Sequence, residues 1–137
     1  MSTQNATYMR QEIEEIPAAV GRLLSDGKSD FAAAGAALRA RDPAAIVTIA
    51  RGSSDHASAF LKYAIELLAG VPVASVGPSI VSIYGRELKL GRTAAISISQ
   101  SGKSPDIVAM TESARSTGAL TFALTNTADS PLAAAAE

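Results

Sequence analysis

The chain has 137 residues, enough for one compact domain with a real core, and it is 47% apolar but only 4% aromatic, so that core is built from Ala, Ile, Val and Leu. Twelve Lys and Arg against thirteen Asp and Glu leave a net charge of −1, which gives no electrostatic case for binding nucleic acid or a membrane surface. There is no cysteine, so disulfides, thiolate zinc sites and a cysteine nucleophile are excluded.

Residues 1–7 are polar and expected to be loose, with no signal-peptide core, and no apolar run reaches membrane-spanning length. A soluble, cytoplasmic protein is the expectation. Met9, Ile13, Ile16, Val20, Leu23 and Leu24 recur at helical spacing. Pro17 interrupts that pattern and predicts a split or kink, with a second helix starting there. Asp26-Gly27-Lys28-Ser29 stops the helix and offers a fresh start. An Ala-rich helix is expected over 31–39, broken by Asp42-Pro43.

The β-branched run 46–50 predicts a buried strand, 51–54 its turn, and 55–69 a helix with Phe60, Ala64, Leu67 and Leu68 as core positions. A second strand is expected over 71–76 and a helix over 79–87. A third strand over 94–98 leads through a serine-rich loop into a helix over 107–117. Gly118 sits where a helix ends. A fourth strand follows over 120–125, then one more helix opening at Ser130-Pro131. A fifth strand is expected near or beyond the end. Helices alternating with short, continuously apolar strands imply an α/β fold. The form expected is a three-layer αβα sandwich around a parallel, doubly wound sheet of flavodoxin-like character. In such sheets ligands bind outside the carboxyl ends of the strands, at the switch point.

Ser99-Gln100-Ser101-Gly102-Lys103-Ser104-Pro105-Asp106 occupies such an end. Open N–H groups at a helix start favour an anion, and serine hydroxyls donate to phosphate oxygens. Ser104 suits an N-cap and Pro105 the first helical position. Two readings stand at this point: a phosphate cradle, or an ordinary capped strand-to-helix turn. Ser53 and Ser54, on the turn after the first strand, carry the same pair of readings. Gly102-Lys103-Ser104 is not the end of a nucleotide P-loop, because position 97 is Ser where that motif needs Gly. His56, the single histidine, falls on a helix first turn, reads as a surface or outer residue, and has no second histidine for a metal site. Glu12, Glu14 and Glu15 read as a solvated helix face.

The octapeptide resembles the phosphate loop of sugar isomerase (SIS) domains, most closely that of the isomerase module of glucosamine-6-phosphate synthases. Gly52-Ser53-Ser54 with Asp55-His56-Ala57 resembles that family's Gly-Thr-Ser turn. Residues 9–17 resemble the segment that opens the module. The resemblance implies that Ser54, Ser99, Gln100, Ser101 and Ser104 bind phosphate and that Ser53 and Gln100 face sugar hydroxyls. Position 53 is Ser where the aminotransferases have Thr, which keeps the hydroxyl. Lys103 replaces an acidic residue, and Gly-Lys-Ser-Pro-Asp is closer to the isomerase-only amino-sugar phosphate deaminases.

By the same resemblance, residues 1–25 are an N-terminal helical segment and 26–137 a first, truncated SIS domain, with the second absent. The implied activity is aldose–ketose isomerisation of fructose 6-phosphate and glucosamine 6-phosphate, with ammonia transfer or deamination, no glutaminase domain, no cofactor and no metal. The expected base, a glutamate, lies beyond Glu137. A homodimer, or association with the missing half, is expected. The alternative is a non-catalytic sugar-phosphate sensor domain of a regulator, although no basic helix-turn-helix segment is visible.

Overall fold

The structure is a computed structural model that describes residues 7–137, so the expectation for residues 1–6 lies outside the described residues. The chain divides into two compact units, Met1–Ala37 and Leu38–Glu137.

In the first unit, helix α1 (Tyr8–Asp26) is capped by Thr7, whose hydroxyl accepts from the Arg10 N–H at 3.3 Å, and it closes at Gly27. The split expected at Pro17 is absent, since one helix runs through it. The missing N–H of Pro17 orphans only the carbonyl four residues back, and on an exposed helix water can satisfy that carbonyl. Arg10–Glu14 at 2.5 Å and Arg22–Glu15 at 2.6 Å pair along α1, so two of the three glutamates belong to surface ion pairs. The stripe of Met9, Ile13, Ile16, Val20, Leu23 and Leu24 is exposed. Helix α2 (Lys28–Arg41) is longer than the 31–39 expected, and its residues from Leu38 belong to the second unit.

The second unit is built on a four-stranded parallel sheet in the order β2-β1-β3-β4, formed by Ala45–Ala50 (β1), Val73–Ser75 (β2), Thr93–Ile98 (β3) and Leu120–Leu124 (β4). Thr48 stands opposite Ile96, and Ile96 opposite Phe122. Strand alternation sorts the core into two halves. Val47, Ile49 and Ala95 pack with Ile107, Met110 and Ala114 of α5 (Pro105–Ser116) and Leu132 of α6 (Pro131–Ala135). Ile46, Val73, Ala94 and Ile96 pack with Leu61 and Ile65 of α3 (Ser53–Ala69). Helices thus cover both faces, as a doubly wound sheet requires.

Two expectations are corrected here. The helix expected over 79–87 is a single turn, α4 (Ser79–Ser82), followed by irregular chain. Phe60, Leu67 and Leu68 are exposed rather than core. Both sides of α3 are apolar, and the side bearing Ser58, Leu61 and Ile65 is the one turned to the sheet.

Candidate functional site

β1 and β3 are parallel neighbours, so their carboxyl ends open side by side. From β1 the chain crosses through α3 to β2 on one side; from β3 it crosses through α5 to β4 on the other. The turn 51–54 and the loop 99–104 therefore meet at the switch point of the sheet, where a crevice forms between diverging connections.

Helix α3 begins earlier than the sequence predicts. Ser53 and Ser54 are its first two residues, not caps, and the N-cap is Gly52 at φ +58°. Glycine has no side chain to spend on the first N–H groups, and no side-chain cap forms. Ser53 is exposed and Ser54 half-buried, and neither hydroxyl has a partner among the described residues.

Helix α5 shows the same economy. Ser104 occupies the N-cap position at φ −69°, ψ 112°, with Pro105 after it, yet its hydroxyl makes no capping bond. The reading of Ser104 as a side-chain cap is thereby corrected. Its hydroxyl and the exposed Gln100 amide have no side-chain partner among the described residues. The other two serines are used internally. Buried Ser99 accepts from the Gly102 N–H at 3.3 Å, and Ser101 from the Lys103 N–H at 3.3 Å. Each still has a hydroxyl proton to donate.

The loop is held from behind. The Ser99 N–H donates to the Leu124 carbonyl at 3.1 Å, and the Gln100 carbonyl accepts from the Asn126 N–H at 3.1 Å. The Gly102 carbonyl accepts from the Leu132 N–H at 3.0 Å. Below it, Ser97 and Thr111 share a buried hydroxyl bond of 2.7 Å between β3 and α5. Ser97 is thus a structural residue at the place where a P-loop would need glycine.

One link across the crevice was not visible in the sequence. Arg51, first after β1, donates from Nη1 to Oδ2 of Asp106, second in α5, at 2.5 Å. Partial burial raises the pKa of Asp106, but the Arg51 hydrogen bond and charge and the N–H groups of Asp106 and Ile107 outweigh it. The net effect holds the carboxyl below its usual value. Position supplied the one available signal: each residue follows a strand-end landmark, but 55 residues separate them.

Lys103 and His56 are exposed, and neither side chain has a partner among the described residues. Among those residues no group of three or more His, Cys, Asp or Glu could hold a metal ion, and no helix is long and apolar enough to cross a membrane. A cleft of about 290 Å³ lies at the amino ends of the strands, lined by Leu38, Pro43, Ile46, Ile65, Ala69 and Val71. It is mainly apolar, and it brings together none of the hydroxyls suited to an anion.

The profile of the SIS domain family matches residues 41–137. A glutamine–fructose-6-phosphate aminotransferase (isomerizing) of Symbiobacterium thermophilum is 34% identical over 96% of this chain and 23% of its own length. A solved structure from Silicibacter pomeroyi, provisionally named a phosphosugar isomerase, is 57% identical, with TM-score 0.91 over 96% of this chain and 40% of that one. The C-terminal domain of the glucosamine–fructose-6-phosphate aminotransferase of Francisella tularensis shares the fold at TM-score 0.80 and 24% identity, over 100% of this chain and 40% of that one. The chain spans about a quarter of the curated relative and two fifths of the solved ones.

Proposed function

The chain belongs to the SIS domain family, and from that membership we propose that its two strand-end loops bind the phosphate of a hexose 6-phosphate, fructose 6-phosphate or glucosamine 6-phosphate. Ser54, Ser99, Gln100, Ser101 and Ser104 hold the phosphate, and Ser53 and Gln100 face the sugar hydroxyls. The observation that carries this reading is the convergence at the switch point of two serine-bearing helix starts, neither closed by a side-chain cap. An ordinary capped turn would spend those hydroxyls on the helix; here Ser53, Ser54 and Ser104 remain unspent.

In this reading residues 26–137 form the binding domain and residues 1–25 a helical segment before it. The whole protein is an isomerase-type enzyme that opens the sugar and moves a proton between C1 and C2, with ammonia transfer or deamination at C2. The phosphate grip supplies binding energy remote from the reacting carbons, which a catalyst can use in the transition state. The proton-transfer role is assigned to no residue of this chain. The molecule works as a homodimer.

Calorimetry tests the reading. The chain should bind fructose 6-phosphate and glucosamine 6-phosphate but not fructose or glucosamine. Equal affinity with and without the phosphate would remove the cradle. A full-length protein that binds tightly but turns over neither sugar in the presence of ammonia is a sensor, not an enzyme.

A further inference from the structure

The first turn of α5 already holds an anion. Asp106 lies two residues beyond Ser104 in the first turn of the helix, at a rise of about 1.5 Å per residue, and its carboxylate accepts from Arg51 Nη1. A phosphate dianion in the loop 99–104 would meet this carboxylate at close range, and like charges at a binding surface oppose association strongly. Among the described residues the only cation paired with Asp106 is Arg51, which reaches it from the opposite wall of the crevice at 2.5 Å. The Arg51 side chain is otherwise largely exposed, whereas Asp106 is 18% exposed. Four charges stand on the two loops and the helix starts they feed: Arg51, Lys103, Asp55 and Asp106. Lys103 and Asp55 are exposed and in no ion pair among the described residues.

Resting on the phosphosugar reading above, we propose that Arg51 is a positioning residue for phosphate recognition, neutralising Asp106 so that the start of α5 accepts a dianion. Arg51 acts through Asp106, and it also ties the turn carrying Ser53 and Ser54 to the helix that Ser104 begins.

The charge role and a purely mechanical tie give different patterns in a mutant cycle. Arg51→Gln, Asp106→Asn and the double variant are compared with wild type by calorimetry against fructose 6-phosphate and inorganic phosphate, with thermal melts confirming that each is folded. Arg51→Gln should weaken binding by about tenfold or more, because it leaves a bare carboxylate beside the phosphate. Asp106→Asn should bind as well as wild type or better. The double variant should recover wild-type affinity to within about threefold, since no uncompensated charge remains. If both single variants lose affinity alike and the double variant stays weak, the pair is only a mechanical tie and the proposal falls. Unchanged affinity in Arg51→Gln, alongside a loss in Ser104→Ala, overturns the role of Arg51 and leaves the phosphosugar reading intact. No binding by wild type removes both.

Discussion

Gly102 lies against Ser130 so closely that a β-carbon on it would overlap the serine side chain, and its φ of +63° is one that side-chain-bearing residues avoid. Ser130 is buried and caps α6, its Oγ accepting from the Ala133 N–H at 3.3 Å. The serine loop can therefore sit on the start of α6 only because position 102 lacks a side chain. Gly102→Ala should cost about 2 kcal/mol or more, combining left-handed strain with displacement of Ser130. Urea unfolding measures this. Sugar-phosphate affinity should fall with it, because Ser101 and Ser104 flank the disturbed residue.

The hydroxyl pair Ser97–Thr111, 2.7 Å apart and wholly buried, joins β3 to α5 beneath the loop, and Thr111 also bonds the Ile107 carbonyl at 2.8 Å. Thr111→Val keeps the shape and removes the partner, leaving the Ser97 hydroxyl stranded in the core. That should destabilise the fold by about 1–3 kcal/mol, while Ser97→Ala with Thr111→Val together should cost less than the single change. A double variant less stable than Thr111→Val alone would show that the pair is not the reason these residues are polar.

The sheet was legible because each strand is a short, continuous run such as Ile46-Val47-Thr48-Ile49-Ala50, which cannot form an amphipathic helix. The switch point followed from the order of elements, and so did the loops bearing Ser53 and Ser104. Three features were not legible, each for a physical reason. Pro17 signals a break, but an exposed helix tolerates the lost bond. On α3 the 3.6-residue period fits two apolar faces equally well, so Phe60 and Leu67 were misplaced in the core while Leu61 and Ile65 fill it. Arg51 and Asp106 meet only through parallel pairing of β1 with β3, which no local pattern encodes.

Ser104→Ala separates the cradle from the capped turn. A serine that caps a helix typically loses about 1 kcal/mol of stability on such a change. Here the side chain makes no capping bond, so melting should shift little. Binding of fructose 6-phosphate should weaken by about 1.5–3 kcal/mol, one hydrogen bond to a charged group, and Ser101→Ala should behave similarly. Unchanged affinity in both variants returns the loop to a structural turn.

Asp106 predicts an acid dependence. Its folded pKa lies below the usual 3.8, so its contribution to stability is fully present above that value. The contribution is lost as pH falls through the lower folded value, when Arg51 loses its partner charge. Asp106→Asn should therefore unfold less steeply than wild type on acidification below about pH 4, and the two should run parallel near neutrality. Urea midpoints across this range test it. Identical acid profiles would mean that the ion pair carries no linked stability, as exposed pairs often do not.

The outward side of α3 predicts association. Phe60, Tyr63 and Leu67 fall at three- and four-residue spacing, and with the adjoining Leu68 they are 67–89% exposed. The opposite side of the same helix already packs on the sheet through Leu61 and Ile65. A helix apolar on both sides is a buried helix, so this one lacks its cover in a single copy. A second copy supplies a matching face by two-fold symmetry, since the same patch then meets itself. Sedimentation at rising concentration should show a dimer. Phe60→Glu with Leu67→Glu should release a folded monomer, because neither side chain contributes to the core. Wild type remaining monomeric at high concentration would refute the homodimer. A dimer that survives both substitutions would move its interface elsewhere, with the exposed stripe of Met9, Ile13, Ile16 and Val20 on α1 the next surface to charge.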